Sequence, residues 1–209
     1  MILDAPVSGA LFKYMKTGDP FSGSTDSFTA GNGSLMRLAP IPLAFRRAPR
    51  LAVYYAAESS KTTHAVPAAI DACKFYTALI LGALDGRSKE KILSPDFYQG
   101  SSLTPEIGEV ADGSYKQKNP PAIAGAGYVV RSLEAALWAF YRSDTFKAGA
   151  LLAANLGDDS DTVAAVQLAG AFHGAEVIPA GWLEKLTLRD LTQQLADDLL
   201  VLSTEPKPL

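Results

Sequence analysis

The apolar segment at residues 67–84 constrains the fold more than any other part of the chain. It begins with Pro67, and proline is tolerated at the first position of a helix. From Ile70 onward the apolar residues lie nearly all round the predicted helix. A helix that is apolar on every side is stable in water only when other elements surround it. We therefore predict a buried central helix with the rest of the fold packed around it.

The remaining sequence predicts further helices and contains no convincing alternating strand. The predicted helices cover residues 50–60, 88–93, 128–142, 162–174 and 187–202, with one more capped by Asp144 and ending at Asn155. The last helix carries a leucine stripe that we expect to close the domain: Leu188, Leu191, Leu195, Leu199 and Leu202. The predicted fold class is all-α. No repeat or linker divides the chain, so we expect a single domain over residues 1–209.

Composition narrows the function classes. The net charge is −3 and there is no basic block, so we expect no nucleic-acid groove. The N-terminus lacks the pattern of a secretory signal, and the longest apolar stretch, residues 76–84, is short for a membrane span. We therefore expect a cytoplasmic protein without membrane contact. Cys73 lies in the apolar helix, where a buried and inert thiol is expected.

Residues 93–127 differ from the rest because they are rich in proline, glycine and polar residues. A loop of this length is more often a lid or binding loop than a plain connection. Disorder is the competing interpretation, and the sequence leaves both open.

A cluster of acids precedes the small-residue run at 163–175. Asp158, Asp159 and Asp161 lie close together with Ser160 and Thr162. Like charges this close repel, and a hard cation with all-oxygen ligands removes that cost. The alternative is a helix cap, because aspartate is favoured at the positive end of a helix.

A glycine-rich turn, defined here as residues 31–37, precedes a helix-like run interrupted by Pro40 and Pro42. Gly31 and Gly33 permit positive φ angles, which let consecutive N–H groups point into one concavity. Such a concavity suits a diphosphate. A plain turn explains the same residues, so the turn alone decides nothing.

Several motifs together are far more specific. The glycine-rich turn is followed by Thr63-His64, by Gly-Ala-Gly-Tyr at residues 125–128, and by Asn-Leu-Gly-Asp-Asp-Ser-Asp-Thr at residues 155–162. In this order the motifs resemble the ADP-ribosylglycohydrolase family, in particular its dinitrogenase-reductase-activating type. The resemblance extends from about residue 8 to residue 202.

The resemblance implies a compact multi-helix bundle with two divalent ions, Mg²⁺ or Mn²⁺, at the base of an ADP-ribose cleft. By that resemblance Asp159, Asp161 and Thr162 match the family's C-terminal metal ligands, and Asp159 and Asp161 act in the chemistry. Asp158 matches a more variable position and suits a cap.

The resemblance also implies a set of substrate-binding residues: Gly31, Asn32, Gly33, Ser34, Met36, Arg37, His64, Gly127 and Tyr128. Alternatives remain open for three of them. His64 also fits a capping or core-edge position, Tyr128 fits a core aromatic at a helix start, and Arg37 fits an ion pair with a carboxylate. The other histidine, His173, is interpreted as structural.

The chain departs from the family's pattern on its N-terminal side. Family members carry a Gly-Asp-Ala-x-Gly helix and a Thr-Asp-Asp-Thr motif that supplies three metal ligands, and neither is found here. The nearest string, at residues 24–27, has one aspartate. We therefore expect an N-terminally truncated chain, the C-terminal two-thirds of the family domain, with activity absent or nearly so.

The leading hypothesis is a metal-dependent hydrolase that cleaves the glycosidic bond between ADP-ribose and an acceptor. The expected partner is ADP-ribose or an ADP-ribosylated macromolecule. A non-catalytic ADP-ribose-binding or structural remnant is the alternative, and a metal-dependent phosphohydrolase is a third hypothesis. Missing helices would bare apolar surface, so we also expect self-association.

Overall fold

The computed structural model describes residues 5–157 and 159–204, and of residues 159–161 it describes the backbone alone. The chain forms twelve α-helices in this part: α1 (Ala5–Thr17), α2 (Gly33–Met36), α3 (Pro40–Ala44), α4 (Pro49–Lys61), α5 (Pro67–Leu84), α6 (Lys89–Ile92), α7 (Pro105–Ala111), α8 (Val129–Tyr141), α9 (Phe146–Ala154), α10 (Asp159–His173), α11 (Ala180–Leu183) and α12 (Arg189–Thr204). Three short 3₁₀ turns occur at Ser27–Thr29, Ser114–Gln117 and Ala175–Val177. These residues form no strand, which confirms the all-α prediction; two isolated bridges are the only β pairing among them.

Helix α5 is the buried centre that the sequence predicts. Helices α4, α8 and α10 pack against it. Its mean hydropathy of 1.3 and its length would allow it to cross a membrane, but 72% of it is buried inside the fold. Such burial is expected of a core helix that is apolar on every side.

Helix α10 lies against α5, α8 and α9, and small residues permit this close approach. Ala164, Ala165 and Ala169 are buried on it together with Leu168. The hydroxyl of Tyr76 on α5 donates to the carbonyl of Ala164 at 2.5 Å. Complete burial raises the pKa of Tyr76, so this hydroxyl stays protonated and remains a donor.

The segment at residues 93–127 is not one long loop. It contains α7 and the 3₁₀ turn Ser114–Gln117, so that part of the prediction is wrong. Proline at the first position starts α7, and the Asp71 carboxylate of α5 accepts a hydrogen bond from the Thr104 N–H at 2.8 Å. Ile107 and Val110 pack into the core and stabilise α7 further. The proline and glycine positions of this segment do not reveal that packing.

Two predicted helix starts also need correction. Thr145, not Asp144, caps α9, because the Thr145 hydroxyl accepts from the Ala148 N–H at 3.2 Å while Asp144 is fully exposed. Helix α10 begins at Asp159 and so includes Asp159 and Asp161, which the sequence placed before it. Aspartate is favoured in a first helical turn because the helix dipole is positive there.

The two end helices pack less than the centre. Helix α1 buries one residue, Ala10, and α12 buries one, Ser203. The leucine stripe of α12 does not close the domain: Leu188, Leu191, Leu195 and Leu202 are exposed and Leu199 is half-buried. Helix α12 contacts the short helix α3, and this contact leaves most of the stripe uncovered.

Candidate functional site

The glycine-rich turn lies directly against the segment at residues 125–128. Gly31 pairs with Tyr128 in an isolated antiparallel bridge. The Asn32 N–H donates to the Gly127 carbonyl at 3.0 Å, and the Val129 N–H donates to the Ala30 carbonyl at the same distance. Two motifs almost a hundred residues apart in sequence therefore share one short β-like contact.

Asn32 fixes this contact with its side chain. Its Nδ2 donates to the Ser132 hydroxyl on α8 at 3.0 Å and approaches the Ala126 carbonyl at 3.4 Å. Asn32 is buried, so its amide satisfies neighbouring protein groups instead of facing solvent. The positive φ angles expected of Gly31 and Gly33 are not adopted, and α2 begins at Gly33 instead.

Ser34 also faces the interior. Its hydroxyl lies 3.0 Å from the Ser60 hydroxyl and 3.5 Å from the Cys73 sulfur. Cys73 is completely buried, as predicted, and burial raises the pKa of its thiol. These contacts hold the first turn of α2 against the core and leave the Ser34 side chain turned away from solvent.

Among the described side chains Arg37 has no carboxylate partner, so the ion pair that the sequence left open is not found there. Its guanidinium donates to the Ser59 carbonyl and hydroxyl, both at 3.0 Å, and to the hydroxyls of Thr62 at 3.2 Å and Thr63 at 2.6 Å. These acceptors surround the C-terminal end of α4, where carbonyls lack intrahelical partners and a cation is favoured. Arg37 therefore acts as a C-terminal cap for α4.

Thr63 contacts both Arg37 and His64 through its hydroxyl group. The Thr63 hydroxyl lies 2.8 Å from His64 Nδ1. A hydroxyl has one proton and two acceptor lone pairs, so Thr63 can bind Arg37 and His64 Nδ1 at the same time. His64 is completely buried and its backbone forms a bridge with Ser24, so it lies behind the surface of the site.

We call the contact between the glycine-rich turn and residues 125–128 the junction. Tyr128 is the aromatic side chain at its surface. It is 41% exposed and lies at the N-cap of α8. Partial burial raises the pKa of Tyr128, with a smaller contribution from the Glu106 carboxylate. The exposed ring leaves room for a flat ligand to pack on it. Gly127 is exposed beside it and Met36 is half-buried.

The acid cluster adjoins the same junction through the backbone. The Gly125 N–H approaches the Leu156 carbonyl at 3.4 Å, and Gly157 makes the turn into α10 with φ of +78°. Asp158 lies outside the described residues, as do the side chains of Asp159 and Asp161. The backbone places Asp159 and Asp161 in the first turn of α10. This turn follows directly after the Leu156 carbonyl that Gly125 approaches.

Thr162 is the one proposed metal ligand whose side chain is described. It is half-buried at the edge of an apolar cavity of about 440 Å³ whose wall includes Phe146 and Trp182. Among the described side chains no group of three His, Cys, Asp or Glu could hold a metal. The donor set of Asp159, Asp161 and Thr162 is all oxygen and fits Mg²⁺ or Mn²⁺, although it supplies fewer than the roughly six ligands such an ion takes.

Sequence reasoning missed Gln167, which connects α10 to the glycine-rich turn. Its Nε2 lies 3.1 Å from the Leu35 carbonyl and 3.0 Å from the Met36 carbonyl. A signal was present, because Gln167 is a polar side chain within the small and apolar sequence of α10.

Comparison with known proteins agrees with this arrangement. A model of the ADP-ribosylglycohydrolase family, "ADP-ribosylglycohydrolase", matches residues 4–208. A solved structure described as "ADP-ribosylglycohydrolase-related protein complex" superimposes with a TM-score of 0.86 at 40% sequence identity. The match covers 96% of this chain and 70% of that chain.

Two relatives are named for their substrates. ADP-ribosylarginine hydrolase Tri1 of Pseudomonas putida (strain GB-1) is 40% identical over 192 residues, which are 91% of this chain and 51% of the relative. ADP-ribosyl-(dinitrogen reductase) glycohydrolase of Rhodospirillum rubrum is 28% identical over 196 residues, 91% of this chain and 63% of the relative. The chain spans about half the length of the relatives named ADP-ribosylarginine hydrolase.

Proposed function

Since the chain belongs to the ADP-ribosylglycohydrolase family, we propose that it acts in the hydrolysis of the glycosidic bond between ADP-ribose and a protein acceptor. The observation that carries the proposal is the junction at residues 125–128, which contacts the glycine-rich turn on one side and the segment leading into α10 on the other. The names of the relatives point to an arginine acceptor.

The contacts divide the proposed substrate-binding residues into two groups. The side chains of Asn32, Ser34 and Arg37 are engaged by the protein itself. We therefore assign ligand contact to the backbone of the glycine-rich turn, to Met36 and Gly127, and to the exposed ring of Tyr128. In this proposal the side chains of Asn32, Ser34 and Arg37 shape the turn and its surroundings and do not bind the diphosphate.

His64 receives a similar role. His64 is completely buried, and its Nδ1 lies 2.8 Å from the Thr63 hydroxyl. The hydrogen bonds that link Arg37, Thr63 and His64 hold the end of α4 beside the glycine-rich turn. We propose that His64 supports the substrate-contacting backbone from the interior.

Asp159, Asp161 and Thr162 would hold Mg²⁺ or Mn²⁺ at the start of α10. A bound divalent ion supplies charge neutralisation and orientation of ribose hydroxyls and water. The start of α10 follows the Gly125–Leu156 backbone contact in the chain, and this supports a ligand set close to the surface that would hold the ribose.

Calorimetry with ADP-ribose in the presence of Mn²⁺ tests the binding half of the proposal. Tyr128→Ala should weaken binding by about 1–3 kcal/mol, the usual contribution of an aromatic ring stacked on a base. Tyr54→Ala is the matched control, because Tyr54 is an exposed tyrosine on α4 outside the junction. Equal loss in both variants, or no heat from the folded wild type, would refute the assignment.

Electron paramagnetic resonance of Mn²⁺ tests the metal half. Asp161→Ala should abolish Mn²⁺ binding, whereas Asp158→Ala should leave it and cost only about 1 kcal/mol of stability, as expected for loss of a helix cap. If the two variants bind Mn²⁺ equally, the assignment of Asp161 as a ligand is wrong.

A second candidate function is an ADP-ribose-binding module without turnover. The small donor set of the α10 motif favours it, since a two-ion site needs more ligands than three residues supply. Incubation with an ADP-ribosylated arginine peptide distinguishes the two. Release of ADP-ribose that depends on Asp161 supports the hydrolase, and binding without release supports the module.

A further inference from the structure

We infer that Gln167 is a positioning residue that holds the glycine-rich turn in register with α10. This inference deepens the proposed function and rests on it for its effect on ligand binding. Gln167 is assigned no role by the family motifs, and its described hydrogen bonds go to the backbone of α2.

The geometry lets one amide group hold two carbonyls. Gln167 Nε2 lies 3.1 Å from the Leu35 carbonyl oxygen and 3.0 Å from that of Met36. A side-chain amide nitrogen carries two hydrogens, so it can donate to both. These two carbonyls are at the C-terminal end of α2, where helical carbonyls lack intrahelical partners.

Helix α2 needs such support because it is a single turn of four residues. A turn this short is not stable by itself, since nucleation costs more than one hydrogen bond returns. The Leu35 carbonyl also accepts from the backbone N–H groups of Arg37 and Leu38, and the bond from Leu38 is long at 3.3 Å. Outside contacts therefore decide where the turn lies.

The two ends of the turn are held by different helices. At its start the Asn32 amide donates to Ser132 on α8, and at its end Gln167 donates from α10. Without the Gln167 amide, the turn would keep its hydrogen bonds to residues 125–128. It would lose the two hydrogen bonds that Gln167 donates from α10.

Gln167 can act as a fixed point because α10 is itself held. Tyr76 donates to the Ala164 carbonyl, three residues before Gln167, and the adjacent Leu168 is completely buried. Asp159 precedes Gln167 by two turns of the same helix, about 12 Å along its axis. The proposed metal ligands and the proposed diphosphate-contacting turn are thus held to one rigid element.

Gln167→Met removes both donors while keeping side-chain length and volume. The matched control is Gln99→Met, since Gln99 Nε2 also donates to a backbone carbonyl, that of Asp96, in the segment after α6. In ¹⁵N–¹H spectra the amide signals of residues 33–38 should shift or broaden in Gln167→Met and stay unchanged in Gln99→Met. The affinity for ADP-ribose should fall about tenfold in Gln167→Met alone.

Gln167→Glu adds a readout that a purely structural role would not produce. An ionised carboxylate facing two carbonyl oxygens repels them, whereas its protonated form can donate to one. ADP-ribose affinity should therefore be weakest near pH 8 and recover partly near pH 5 in Gln167→Glu, with no such recovery in Gln167→Met. This variant also serves if Gln167→Met does not fold.

Unchanged turn signals and unchanged ADP-ribose affinity in Gln167→Met would overturn the inference. Failure of the proposed function looks different, because the wild-type protein would then bind no ADP-ribose at all. In that case the amide signals of residues 33–38 still decide whether Gln167 positions the turn.

Discussion

Helices α8 and α12 have nearly the same leucine spacing and opposite surroundings. Leu133 and Leu137 of α8 are completely buried, whereas Leu191 and Leu195 of α12 are about half exposed. A stripe of leucines at this spacing predicts a helix in both cases, and both predictions of a helix are correct. The stripe does not determine whether a partner covers it.

The difference lies on the remaining faces of the two helices. Helix α8 adds Ala135, Ala136 and Ala139, which are buried and let α5 and α10 approach closely. Helix α12 carries Gln193 and Asp197 in the corresponding region, and they hydrogen-bond to each other in solvent. Small residues around a stripe are therefore a better indication of a core helix than the stripe itself.

A pair of leucine substitutions gives the largest expected contrast. Leu133→Ala should destabilise the protein by about 2–5 kcal/mol, because it leaves a cavity beside a close-packed helix. Leu195→Ala should change stability by about 0.5 kcal/mol or less, since its side chain already contacts water. Urea denaturation measures both, and similar losses in the two variants would contradict the comparison.

A polar pair gives the next largest contrast. Asn32→Ala should cost about 1–3 kcal/mol, because it leaves the buried Ser132 hydroxyl of α8 without the Asn32 donor. Gln193→Ala on α12 removes only an exposed bond and should cost about 0.5 kcal/mol or less. The same denaturation assay applies, and a neutral Asn32→Ala would show that the junction does not depend on this amide.

Cys73 extends the comparison to a titrating group at the centre of the core. Burial raises the pKa of the folded thiol above its ordinary value of 9.0, so the folded state holds this proton more tightly than the unfolded chain. Its contribution to stability is complete below that ordinary value and is lost as pH rises above it. The slope is at most about 1.4 kcal/mol per pH unit.

The control for this pH effect is Cys73→Ala. Between pH 8 and 10 the free energy of unfolding should fall more steeply with pH in the wild type than in the variant. Near pH 7 the two slopes should be equal, because the thiol is protonated in both the folded and the unfolded wild type. Parallel curves for the two proteins over this whole range would show that the thiol titrates alike in the folded and unfolded states.

The sequence was sufficient for the fold class and for the central helix. Residues 67–84 are apolar on all sides, and this property alone requires a surrounding core. It was insufficient for α7 and for the α9 cap, because both depend on partners distant in sequence or on a choice between adjacent polar residues. Asp144 and Thr145 are both good caps, and backbone geometry selects Thr145.

For the candidate site, motif order predicted which segments lie together but not which way their side chains face. The turn at residues 31–37 and residues 125–128 do meet. Asn32, Ser34 and Arg37 were expected at the ligand, which stays a prediction, and their side chains bind neighbouring protein groups. A motif residue can be required for the shape of a loop as readily as for contact, and only the contacts distinguish these roles.

The exposed apolar residues of the end helices give the smallest expected effect on stability and a separate effect on association. Phe12 of α1 is 65% exposed and Leu195 of α12 is 54% exposed. Apolar side chains left in water favour contact between molecules. Phe12→Gln and Leu195→Gln should each change the free energy of unfolding by about 0.5 kcal/mol or less, because neither side chain fills the core.

In sedimentation experiments the double variant should associate less than the wild type at the same concentration. Tyr54→Gln is a suitable control, since Tyr54 is equally exposed but lies on α4. If the control reduces association as much as the double variant, the end helices are not the surface through which the chain associates.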